Sequence, residues 1–184
     1  MKKLYQDIKI PKLEGNKLIK DSQLFSYIDA DFTNWNLNQK GKTKPQELEV
    51  FELDREITFK EMFVTPQKMA LTQEQILYFL ENYKDKLGDD NNVTFFLSQS
   101  NGVFFVARVR VDSDDSLIVS VLRFEDSNVW HAGYRHRVVV PQLKLENSIT
   151  SNFETFESLT LRIEKLEQFK EKVESVLKLT RAET

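Results

Sequence analysis

Cysteine is absent from this 184-residue chain, and two histidines, four prolines and five glycines are all it has of those types. Without a thiol there is no disulfide framework, no thiolate nucleophile and no sulfur ligand for a metal. The glycines are scattered, so no glycine-rich nucleotide loop is present. Gly41-Lys42-Thr43 resembles the end of a phosphate loop, but Asn36 stands where that motif needs its first glycine. No apolar run approaches the roughly 18 residues of a membrane span. Met1-Lys2-Lys3-Leu4-Tyr5 is followed by no apolar stretch, so no secretory leader is expected and the expected setting is cytoplasmic. A large positive charge is lacking too: 26 Lys and Arg against 29 Asp and Glu give a formal net charge of -3. Proteins that neutralise many phosphates are usually strongly basic.

What the chain does have is a dense β pattern between Val93 and Val140. Four runs rich in β-branched and aromatic residues, 93–98, 103–111, 117–124 and 129–140, alternate with short polar breaks. Asn101-Gly102 is a strong hairpin signal, because a type I′ turn needs positive φ at both central residues. Four-residue loops at 112–115 and 125–128 set the expected register: Val111 opposite Ser116, Val109 opposite Ile118, Phe105 opposite Leu122, Phe124 opposite Val129. One face is then apolar. The other gathers Arg108, Arg110 and Arg123 with Trp130, Tyr134 and His136, over a floor of Phe104, Val106, Val119 and Val121. The same period sends Arg135 and Arg137 to the apolar side unless a bulge near Gly133 re-aims them.

Thr72-Gln73-Glu74-Gln75 is a capping box opening a helix over 72–87, with Ile76, Leu77, Phe79, Leu80, Tyr83 and Leu87 at helical spacing. A second, long helix is expected from about Ser158 to about Leu179. Leu159, Ile163, Leu166, Val173 and Leu177 form its near-heptad stripe, which either docks on its own domain or joins two copies of the chain. Residues 1–46 carry Phe25, Tyr27, Phe32 and Trp35 and are read as an aromatic wrapping segment and loop, residues 47–184 as the core. The expected fold class is therefore α+β: an antiparallel four- to six-stranded meander with a helix before it and a long C-terminal helix after it.

Chemistry is sparsely signalled. Asp112-Ser113-Asp114-Asp115 is no EF-hand loop, since Leu117 and Arg123 occupy the positions of the required glycine and glutamate. His131 and His136, the two bases near neutral pH, point to opposite faces if both lie on one strand, so they share neither metal nor proton. His131 is read as a core histidine. These patterns give no metal, no cofactor and no catalytic residue. The expected function is non-catalytic binding of a protein partner or a second copy of the chain. Two alternatives stand beside it: a single-stranded nucleic-acid binder using the arginine and aromatic face, and an enzyme with His136 as acid or base.

Overall fold

In this computed structural model the described residues are 1–88 and 92–143, all of which belong to one unit spanning Met1–Leu143. The strands are β1 (Lys2–Ile10), β2 (Phe25–Ile28), β3 (Gln46–Glu52), β4 (Val93–Ser100), β5 (Val103–Val111), β6 (Leu117–Arg123) and β7 (Arg137–Pro141). The α-helices are short: α1 (Asp31–Asn34), α2 (Phe59–Met62), α3 (Pro66–Met69) and α4 (Gln73–Asn82). The strands make a seven-stranded sheet in the order β1-β3-β7-β4-β5-β6-β2. The pairs β2/β6 and β4/β7 are parallel; the rest are antiparallel.

This corrects the expected antiparallel meander. Both parallel pairs join segments far apart in sequence, which local turn chemistry cannot announce. β7 inserts between β3 and β4, and residues 129–136 are irregular where a strand was expected. The expected long C-terminal helix, with Leu159, Ile163, Leu166, Val173 and Leu177, lies outside the described residues.

The centre of the sheet is buried on both sides. In β4 every residue but Gln99 is buried, the near-continuous apolar pattern expected of a strand covered on two faces. Phe96 packs on one side with Leu48, Val50, Phe105, Ala107, Val109, Val119 and Val139. Ile76, Leu77, Phe79 and Leu80 of α4 cover that side, together with Ile19, Phe32 and Leu37 from the N-terminal third. Phe95 and Leu97 pack on the other side with Val93, Val106, Val138 and Val140. There the cover comes from Leu53, Ile57, Phe59, Met62, Phe63 and Met69, with Phe124 and Trp130.

Local sequence accounts for several joints. Thr72 caps α4, accepting from Gln75 N at 3.2 Å while Gln75 Oε1 accepts from Thr72 N at 2.9 Å. Gln73, 2 % exposed, ties the helix to the N-terminal third: its Oε1 accepts from Ile19 N at 2.9 Å and its Nε2 donates to Leu37 O at 2.8 Å. Asn101 and Gly102 both have positive φ, 51° and 80°, as the β4–β5 hairpin requires. Gly15 (φ +74°) is needed for a different reason: a Cβ there would lie 2.0 Å from Gly41 O, so the loop 38–45 can seat on the N-terminal segment. β1 closes one edge of the sheet; Lys2, Lys3 and Lys9 stud it, and two register shifts, with Asp7 at φ 59°, interrupt its pairing to β3.

Two substitutions test this account by urea unfolding. Phe96→Ala, at a fully buried site, is expected to cost about 3–5 kcal/mol. Thr72→Ala is expected to cost about 1 kcal/mol with no change in the sheet's spectroscopic signature.

Candidate functional site

The residues expected on one basic and aromatic face are sorted by the register of β5 with β6. Observed partners are Val111 with Leu117, Arg110 with Ile118, Val109 with Val119, Arg108 with Ser120, Val106 with Leu122 and Phe105 with Arg123. This is one residue away from the expected register. The cause lies in the loop: Asp112 N bonds Ser116 O at 2.8 Å, and Asp115 takes φ 65°, so five residues rather than four separate the strands. Aspartate tolerates that left-handed conformation better than most side chains do.

The slip moves Arg123 to the side of Phe105 and Ala107, where its guanidinium lies 4.5 Å from the centroid of the Trp35 ring. Arg108 and Arg110 stay opposite Phe95 and Val93, on the side that carries Trp130. Val119 and Val121, expected on the floor of this face, belong to the opposite core.

Trp130 is held by an isolated bridge to Ile57, with N–H donors in both directions at 2.9 and 3.1 Å. Its indole packs 4.6 Å from the ring of Phe95, 5.4 Å from Phe59 and 5.5 Å from His136. The chain then makes a 3-10 turn, Ala132–Tyr134, and Arg135 adopts φ 48°. This turn takes the place of the bulge expected near Gly133. It sets Arg135 outward, 3.2 Å from Glu52. It also brings Arg137 back to donate to the carbonyls of Lys86 and Leu87. Tyr134, 62 % exposed, stacks on His136 at 5.5 Å and 15°.

The two histidines have different fates. His131, expected in the core, is exposed and sits 2.8 Å from Glu56. His136 is 7 % exposed, and its Nδ1 accepts from Val93 N at 3.2 Å, which assigns the proton of the neutral ring to Nε2. Burial, and to a smaller degree the charge of Arg108, holds its pKa below the usual histidine value. Among the described residues no carboxylate or hydroxyl is bonded to it, so the geometry supplies no relay partner for acid or base work. Among the described residues there is also no group of three metal-ligating side chains, and no helix long and apolar enough to cross a membrane.

What remains of the expected face is a strip on β5 and β6 beyond the cover. Arg108, Arg110, Ile118, Ser120 and Leu122 are half-buried there, and Tyr27 of β2, 55 % exposed, extends the strip beside Ile118. Arg108 Nε donates to Ser120 Oγ at 3.0 Å. Arg110 Nη2 is 3.9 Å from Asp112, while Arg110 Nε and Trp130 Nε1 are buried with no hydrogen-bond partner among the described residues. Leaving such a donor unpaired costs about 1–3 kcal/mol.

Hollows lined by described residues lie elsewhere. One of 720 Å³ is lined by Tyr5, Lys84, Val111, Asp115 and Arg137 among others, and its charges are largely matched, Lys84 with Asp115 at 2.6 Å. Another, of 370 Å³, opens at the far end of β6 beside Trp35 and Arg123. Sequence reasoning missed it, because Trp35, Val103 and Phe124 converge only once β6 is registered and α1 is placed.

No family model matches this chain, and neither does any curated protein or solved structure.

The depressed pKa of His136 has a measurable consequence. The unfolded state takes up its proton near pH ~6.5 and the folded state at lower pH, so stability is fully present above that value and is lost as pH falls through the folded pKa. Urea midpoints for the parent are expected to drop between pH 7.5 and 5.5. His136→Asn, whose amide oxygen can accept from Val93 N, is expected to flatten that drop.

Proposed function

We propose that this chain is a non-catalytic binding protein that makes contact through the strip on β5 and β6, with another polypeptide as its partner. The observation that carries the reading is chemical. The strip combines the half-exposed apolar side chains of Ile118 and Leu122 with the guanidinium groups of Arg108 and Arg110. A partner that brings apolar area and oxygen acceptors would cover the apolar side chains and bond the accessible guanidinium nitrogens. The indole of Trp130 is already spent as cover for Phe95 and Phe59, which favours a protein surface over a platform for stacked bases.

A second copy is the partner most directly tested. Self-association would also draw on the stripe Leu159, Ile163, Leu166, Val173 and Leu177, whose spacing suits a helix seam. A cytoplasmic setting accompanies this proposal, on the lack of cysteine.

Single-stranded nucleic acid is the second reading. In its favour, Arg108, Arg110, Trp130, Tyr134 and His136 share a face, and the ring of Tyr134 is open on one side. Arg123 no longer contributes to that face.

Light scattering over a range of concentrations decides the first reading. The expected mass rises above the monomer's 21.7 kDa. The variants Ile118→Glu and Leu166→Glu/Val173→Glu are each expected to return it to the monomer. A parent that stays monomeric throughout removes self-association. For the second reading, retention of a single-stranded oligonucleotide at low salt is expected to weaken with added salt and in Arg108→Ala/Arg110→Ala; unchanged mobility at low salt ends it.

A further inference from the structure

We infer that the 370 Å³ cleft beside Trp35 and Arg123 is a binding site for a small amphiphilic carboxylate, lined by none of the side chains that make up the strip. The cleft lies where the β4–β5 hairpin, the end of β6 and the residues after α1 meet. Its volume falls within the roughly 300–1,000 Å³ of small-molecule sites. The walls are apolar: Trp35, Leu37, Val103, Phe105 and Phe124. Val103 is 64 % exposed although it is the first residue of β5, so apolar surface at the mouth stands in water. A ligand body that covered it would gain about 25 cal/mol for each Å² removed from water.

The charge at the mouth selects the head group. Arg123 is exposed, rests on the face of Trp35 and makes no ion pair with a carboxylate among the described residues. The acid nearest to it in the lining, Glu125, is engaged instead by Lys60 at 2.6 Å. The guanidinium is therefore left with its hydrogen-bonding fork available, the geometry that receives a carboxylate through two parallel N–H donors. The hairpin wall is fixed in advance. Gln39 N donates to Ser100 Oγ at 3.2 Å and Asn101 N donates to Gln39 Oε1 at 2.9 Å. Because the loop after α1 is tied to the turn, a ligand entering the cleft finds that wall in place and loses less affinity to ordering it.

Octanoate is the probe, with octan-1-ol as its uncharged counterpart, and the indole N–H resonance of Trp35 in the full chain is the readout, assigned by comparison with Trp130→Phe. Octanoate is expected to shift the Trp35 signal saturably, and octan-1-ol to bind about tenfold more weakly. Arg123→Gln is expected to bring the two ligands to the same affinity. Val103→Asp, at an exposed position, is expected to weaken octanoate binding while the rest of the spectrum keeps the folded pattern. The inference is overturned by any of three results: no saturable response to octanoate, equal binding of octanoate and octan-1-ol by the parent, or no effect of Arg123→Gln. None of these outcomes bears on oligomeric mass, so the test is independent of the strip.

Discussion

A strand that must be dry on both faces governs this structure. β4 sends Phe96 into one core and Phe95 and Leu97 into the other, and its neighbour β7 does the same with Val139 on one side and Val138 and Val140 on the other. A parallel pair at the centre of a sheet cannot leave either face to solvent without stranding large apolar side chains. Cover must therefore come from two directions. On one side it is a regular helix, α4, whose apolar stripe meets the sheet. On the other, the cover is assembled from short turns of helix and from Ile57, Phe59 and Trp130.

That irregular cover explains the chemistry of the second face. Because it is built from a few large rings, it reaches across β4 but stops short of the outer strands, leaving Arg108, Arg110, Ile118 and Ser120 half in water. The same rings enclose His136, whose ring is wedged among Phe95, Trp130 and Tyr134 and fastened to Val93 N. Trp130 acts here as a packing group, and His136 as a packing and hydrogen-bonding group. The strip proposed for binding is what this packing leaves uncovered.

Signals that act over a few residues were readable in the chain. The capping box at Thr72, the Asn101-Gly102 turn and the limits of β5 all follow from side chains bonding or packing within one hairpin or one helical turn. The register of β6 was not readable, because it depends on whether Asp115 enters the left-handed region, a difference of one residue that reverses the face of every side chain beyond it. The parallel pairing of β2 with β6 was hidden for another reason. Asp29 fastens the two segments, its N–H donating to Val119 O at 3.0 Å and its carboxylate accepting from Val121 N at 3.4 Å. Nothing near Asp29 in sequence points to residues some ninety positions away. Arg108 and Arg110 keep their place opposite Phe95 and Val93 because β5 pairs with β4 through the tight Asn101-Gly102 turn, whereas Arg123 lies beyond the looser bend and falls on the other side.

The placement of β7 has a consequence for what holds the sheet together. The last strand in sequence among the described residues is third in spatial order, hydrogen-bonded to β3 on one side and β4 on the other. Without β7, the pairings of β1 with β3 and of β4 with β5 and β6 make two half-sheets with a raw seam between them. Val138, Val139 and Val140 join them. A chain stopped short of that point would leave β3 and β4 each with an unpaired edge of N–H and C=O groups, the kind of edge that pairs with other chains.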